Sequence, residues 1–263
     1  MNPILLTPLD LTIAASLLVI DAAVSLALRL DLHRKILIAA VRMVLQLVLI
    51  GFILRKVFQL ANPAVTGAIV VVMVLIAARE AAARPEKRLK QAAGFWIGLG
   101  SISSATLLTA LFALTTALRP HPWYDARYAV PLAGVLLGNI LNATSLALDG
   151  FLGSISREKG AIEARLSLGA RFWEAITPHV RDAIRRALVP IVNQMSAAGV
   201  VTLPGIMTGQ ILAGLDPMEA VKYQILLMFL LSGGSALAAT ATAYLAAWRL
   251  TDPRERLRLD RLA

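Results

Sequence analysis

The sequence predicts an all-α, polytopic membrane protein with about seven transmembrane helices, its N-terminus outside and its C-terminus cytoplasmic. Three observations carry that expectation. Hydrophobic residues are 58% and charged residues 16% of the 263, whereas soluble domains carry about 25% charge. The apolar residues come in runs of about 18 or more, long enough to cross the hydrocarbon core as helices. Lys and Arg alternate between loops, with twenty in one set, five in the other and Arg42 inside a span; such a bias marks the richer set as cytoplasmic.

The same placement disposes of the net charge of +10 as a nucleic-acid signal, because the basic residues sit in short runs between apolar spans. No cysteine is present, which excludes disulfides, thiolate metal sites and cysteine nucleophiles. The opening MNPILLTPLDLT has no basic n-region and carries Asp10, so it does not read as a secretory signal. One membrane domain over 1–263 is expected, in the cell (inner or plasma) membrane, with a polar cytoplasmic loop at about 150–187.

Seven spans can be drawn. They run from Leu11 to Leu28, Ile36 to Leu54, Pro63 to Ala78, Ala92 to Leu118, Tyr128 to Leu148, from near Leu188, and from Tyr223 to Trp248. The sixth loses regularity at Leu203-Pro204-Gly205, and 188–222 reads equally as a broken helix or a re-entrant element. Trp96, Trp123, Tyr124, Tyr128 and Trp248 fall near span ends, where amphipathic rings favour the interface.

Polar groups inside spans are candidates for function, since each is costly in lipid. Asp21 and Arg42, with Gln46 one turn further on, suit either a structural ion pair or a transport role. In the fifth span, Gly134 and Gly138 form a small-xxx-small packing face, and Asn139 and Asn142 follow on one side. The densest polar run is Val192–Pro217, where Asn193, Gln194, Met207, Thr208 and Gln210 accompany several glycines around Pro204. Proline and glycine free backbone groups that only protein or a water-filled path can satisfy in a bilayer, and transporters build sites at such breaks. Asn139, Asn142, Asn193, Gln194, Met207, Thr208 and Gln210 are therefore the candidate translocation path, with helix-to-helix hydrogen bonding the alternative role for the amides. Met195 and Met207 also offer thioethers suited to a soft metal, Met207 being the candidate ligand, although methionine is more often ordinary packing.

The motifs of enzyme chemistry are missing. There is no phosphate loop, no HExxH and no GxSxG, and His33, His121 and His179 are scattered. The chain is expected to be no enzyme and to bind no cofactor.

Between the fifth and sixth spans lies a polar island, Asp149–Ala187. Ile162, Leu166, Trp173 and Ile176 recur at helical steps, Glu163 and Arg165 fall on other faces, and Gly169 interrupts the pattern. A short amphipathic helix, a glycine stop and a second helix make either a knob projecting from the membrane domain or a helix lying on headgroups.

The island holds EARLSLGA, which resembles the cytoplasmic EAA-type loop of ABC transporter permeases, with Glu163, Ala164 and Gly169 in place and Arg165 where a second alanine usually stands. VRMVLQLVLIGFIL, VPLAGVLLGNILN, EARLSLGA, RDAIRRALVPIVNQ and LPGIMTGQILAGLDPMEAVKYQI, in that order, resemble the FetB-type permease family, which includes plant aluminium-tolerance permeases. Ile206-Met207 stands where related members tend to have a Met-Met pair. The resemblance implies a homodimeric permease subunit of an ABC transporter, exporting iron or another metal, with ATP and Mg held by a separate ATP-binding subunit. It implies that Ile162, Glu163, Arg165, Leu166, Gly169, Ala170 and Trp173 couple to that subunit. A nucleotide sugar or other small solute is the alternative cargo, and an ion-coupled secondary transporter the alternative class.

Overall fold

A computed structural model describes residues 7–60, 62–90, 92–120, 122 and 124–262; Trp123 and His121 lie outside the described residues. The chain divides into two compact units, Met1–Ala61 with Leu212–Gly214, and Asn62–Ile211 with Leu215–Ala263.

The first unit is a helical hairpin of α1 (Pro8–Ala27) and α2 (His33–Leu60). Pro8 opens α1 where a missing N–H is harmless. Thr7 and Asp10 cap it reciprocally, the Thr7 N–H donating to Asp10 Oδ2 at 2.8 Å. Ser25 Oγ accepts from Leu32 N at 3.0 Å and closes the turn. Asp21, Arg42 and Gln46 all lie on exposed faces of this unit.

The second unit contains α3 (Pro63–Ala83), α4 (Ala93–Phe112) continued by a π-helical turn to Leu118, α5 (Ala126–Arg157), α6 (Lys159–Ser167), α7 (Phe172–Ala197), α8 (Gly205–Leu212) and α9 (Pro217–Arg249). Asn62, Asp125 and Asp216 start α3, α5 and α9 by accepting from Ala64 N, Arg127 N and Met218 N at 2.8, 2.9 and 2.9 Å, the usual task of such caps. The central helix is α5, which packs on α3, α4, α7 and α9; its Leu136, Ile140, Phe151, Leu152 and Ile155 are fully buried. Gly234 of α9 allows the closest approach: a Cβ there would lie 3.1 Å from Ile140 Cδ1 and 3.2 Å from Thr109 Oγ1.

Among the described residues, six helices are long and apolar enough to cross a membrane: α1, α2, α3, α4 with its π turn, α5 and α9. The sixth expected span takes the broken-helix form. It is not a helix beginning near Leu188, because α7 starts at Phe172 and runs unbroken to Ala197. The reason is its buried stripe: Phe172, Ala175, Ile176, Val180, Ala183, Ala187 and Ile191 keep a three-four spacing through both the polar and the apolar half, and packing of one face sustains a helix whatever its other faces carry. An irregular stretch follows, then α8.

Two aromatic levels mark the ends of this unit. Trp96 and Trp248 line one cleft with Ala93 and Arg249. Tyr128 and Tyr223 line another cavity, together with Leu118. Tyr223 and Trp248 are twenty-five residues apart on α9, about 37 Å of helix, which suits a hydrocarbon core of about 30 Å with a ring at each interface. At about 48 Å, α5 is longer than the core, and it continues into the polar island as far as Arg157.

Candidate functional site

The α6–α7 elbow is built by glycine geometry. Gly169 has φ +93°, a backbone conformation that costs an L side chain strain. It lets Gly169 N donate to Leu166 O at 3.0 Å and Ala170 N to Arg165 O at 3.1 Å, the paired bonds that close a helix C-terminus in a Schellman turn. EARLSLGA is therefore a helix plus its stop. Leu168, at the turn, is 89% exposed. Below it Ile162 is buried, and Leu166 packs partly buried against a core of Phe151, Leu152, Ile155, Phe172 and Ile176. The projecting knob is thus seated on α5, α7 and α9.

Of the residues assigned to coupling, Ile162 and Leu166 face this core, while Glu163 and Arg165 are exposed. Glu163 lies 3.7 Å from Lys159, a surface pair of little energetic weight. Trp173 does not share the buried face with Ile176. Phe172 takes that place, and Trp173 is 41% exposed, its ring 6.0 Å from that of Tyr244 on α9. The Gly-Ala-Arg turn resets the helical phase by one residue, which a single unbroken period through the island does not anticipate.

The same end of the unit is cross-tied. Arg84 Nη1 donates to Asn142 Oδ1 at 2.7 Å, Glu86 N to Asp149 Oδ1 at 2.9 Å, and Lys90 Nζ to Asp260 O at 3.0 Å. Ser154 Oγ and His179 Nδ1 share a 2.7 Å hydrogen bond between α5 and α7. Asn142, chosen from sequence for the path, thus holds the linker after α3.

The opposite end is open. A cavity of about 430 Å³ lies between α5, α8 and α9, lined by Arg127, Tyr128, Gln210 and Tyr223 above Pro131, Leu132, Val135, Leu226 and Leu227. Gln210 Oε1 is buried with no hydrogen-bond partner among the described residues, so it offers an acceptor to whatever enters. Thr208 Oγ1 donates to Pro204 O at 3.2 Å, Asn139 Nδ2 to Val135 O at 3.3 Å; Asn193 and Gln194 are exposed and Met207 half-buried. Of the candidate path residues, Gln210 lines this cavity. Arg127, Tyr128 and Tyr223 were not foreseen as lining residues; in the sequence Tyr128 shows only as a ring near a span end. Among the described residues, no three His, Asp or Glu stand together as a metal site.

Six long apolar helices among the described residues, with a broken segment between two of them, define a multi-pass membrane protein. The sequence profile of the uncharacterised protein family UPF0014 matches residues 8–250, and the chain belongs to that family. It is 41% identical over 219 residues to the UPF0014 membrane protein slr1647 of Synechocystis, covering 82% of this chain and 83% of that protein. It is 31% identical over 265 residues to the probable iron export permease protein FetB of Escherichia coli, covering 100% and 99%. To the protein ALUMINUM SENSITIVE 3 of Arabidopsis thaliana it is 30% identical over 236 residues, covering 88% and 84%. No solved structure matches.

Proposed function

We propose that the chain is the transmembrane subunit of an ABC-type exporter, acting as a homodimer with a separate ATP-binding subunit and moving iron or another metal ion out of the cell. The observation that carries the coupling part is the elbow: an exposed Leu168 on a glycine-fixed turn, seated through Ile162 on the buried core of the permease. A partner subunit gripping α6 would move α5, α7 and α9 with it, because these helices share one core below the elbow. The relative named as a probable iron export permease, matched over its whole length, supports the cargo. With the Lys/Arg-rich loops cytoplasmic, the elbow faces the cytoplasm and the Arg127–Tyr223 cavity faces outward.

A second cargo is favoured by one observation. Among the described residues the cavity is lined by Arg127, Gln210 and two tyrosines and by no carboxylate, a lining better suited to an anionic or ring-bearing solute, or to a metal bound to an anionic chelator, than to a bare cation. Co-expression with the partner ATP-binding subunit and reconstitution into proteoliposomes tests both. The proposal expects a stable complex whose MgATP hydrolysis rises with the transported cargo, ferrous iron, iron citrate and a nucleotide sugar being compared. Absence of any complex, with transport driven instead by an ion gradient, would overturn it.

A further inference from the structure

Residues 251–262 form a folded segment over the elbow. Leu257, Leu259 and Leu262 pack against the core that holds Ile162 and Phe172. Leu262 pairs with Leu89 in an antiparallel bridge, and Lys90 N donates to Arg261 O at 2.8 Å. Arg261 Nη1 reaches back to Arg249 O and Thr251 O at 2.5 and 3.0 Å, which ties the segment to the end of α9. Beside this packing, a long-range hydrogen bond reaches the elbow: Phe172 N, the first amide of α7, donates to Glu255 Oε2 at 2.9 Å across 83 residues. That amide has no acceptor within its own helix, and a carboxylate is favoured there by the helix dipole as well.

Glu255 makes this bond from φ +54°, a left-handed conformation that persists in a glutamate only when its surroundings impose it. What imposes it is Asp252. Its oxygens accept from Arg254 N and Arg256 N, both at 3.0 Å, and from the Arg256 guanidinium at 2.9 and 2.7 Å. Glu255 N donates to Asp252 O at 2.9 Å. These bonds to Arg256 hold the Asp252 carboxyl down at about 2. The turn exists to present one carboxylate to one helix end.

We infer that residues 251–262 are a strap that sets the position of the α6–α7 elbow relative to α9, with Glu255 its positioning residue; this rests on the coupling role proposed above. The strap makes α9 a third arm driven by the elbow, beside α5 and α7, which are joined to it through the chain. Glu255 need not touch the ATP-binding subunit. It acts through the first turn of α7.

The test uses the full chain with its ATP-binding subunit in nanodiscs, comparing wild type, Glu255→Ala and Glu255→Gln. Glutamine keeps an acceptor oxygen and is the rescue control; thermal unfolding checks that all three are folded. Hydrogen exchange of the amides at 172–174 should quicken about five- to tenfold in Glu255→Ala, the size expected for loss of a helix cap, and return toward wild type in Glu255→Gln. ATPase stimulation per complex should fall several-fold in the first and recover in the second, with α6 still protected by the partner. Unchanged exchange in Glu255→Ala overturns the inference. So does quickened exchange with undiminished stimulation, which would make the strap structural only. If Glu255→Ala fails to fold, Arg256→Ala, which loosens the Asp252 turn, is read by the same two measurements and the same outcomes. A wild-type chain that stimulates no ATPase overturns the coupling reading and the strap's role together, and is recognised before any variant is compared.

Discussion

The two ends of the α3–α9 unit are held by different means. At the elbow end, α3, α5, α7 and the strap are joined by the Arg84–Asn142, Glu86–Asp149, Ser154–His179 and Glu255–Phe172 bonds, and the strap to α9 by Arg261–Arg249, over a buried core. At the α8 end, Val200, Val201 and Leu203 are 89, 79 and 65% exposed, and α8 has no buried residue among those described. One end is cross-tied and the other more exposed; the proposed coupling expects the exposed end to rearrange. A lever needs that asymmetry: force applied where the helices are tied appears as movement where they are not.

Breaking the lever at its point of contact should have the largest effect. Gly169→Pro replaces φ +93° with a ring fixed near −65° and removes the N–H that closes α6. It should abolish partner ATPase stimulation, because an incompatible proline costs about 3 kcal/mol and disfavours the native turn by about a hundredfold, while membrane insertion continues. Wild-type stimulation from a folded Gly169→Pro protein would contradict the role of the elbow.

Gly234→Val tests the close packing of α9 on α5 and α4 between the two ends. The added atoms meet Ile140 and Thr109 at 3.1–3.4 Å, so overpacking should cost about 1–3 kcal/mol, read as a lower Tm of the reconstituted chain.

Gln210→Leu sharpens the comparison at the open end. Because Gln210 Oε1 has no hydrogen-bond partner among the described residues, removing it should leave stability unchanged or slightly raised, while cargo-dependent ATPase stimulation falls several-fold and basal hydrolysis holds. A loss of Tm with normal transport per complex would make Gln210 a packing residue and move the path elsewhere. Asn142→Leu should do the reverse but weakly, costing about 0.5–1.5 kcal/mol through the lost Arg84 bond and leaving cargo selectivity unchanged in the same assay.

Acid should release the strap last and most gently. Asp252 and Asp260 are lowered from 3.8 to about 2 by their bonds to Arg256 and Arg258. Lowered carboxyls stabilise the fold above their unfolded value and lose that contribution as pH falls from about 4 through about 2. Amide protection over 250–262 should therefore be constant from pH 7 to 5 and decline below 4; a decline already near pH 6 would mean other groups hold the strap.

The sequence disclosed what depends on composition and local periodicity. The apolar helices, the Schellman glycine at 169 and the break around Pro204 were all legible, because each follows from residues close in the chain. The start of α7 was not: hydropathy places a boundary near Leu188, whereas the buried stripe from Phe172 onward ignores hydropathy. Phe172 was hidden behind Trp173 because a turn shifts the helical phase by one. The strap was invisible, since RLTDPRERLRLDRLA reads as a charged tail and its leucines gain meaning only beside Ile162 and Leu89. Asn142 was legible as a polar group in a span, but its partner Arg84, 58 residues away, was not.

The central claim is that movement is small at the braced end and large at the open one. The chain has no cysteine, so spin labels can be placed without removing any. One pair, Arg88→Cys with Arg254→Cys, reports the braced end; the other, Val201→Cys with Met218→Cys, reports the open end. Distances measured by pulsed electron resonance in the reconstituted complex, before and after trapping with MgATP, should change by more than about 2 Å at the open end and by less at the braced end. An equal or larger change between Arg88 and Arg254, with Val201 and Met218 unmoved, would contradict the account.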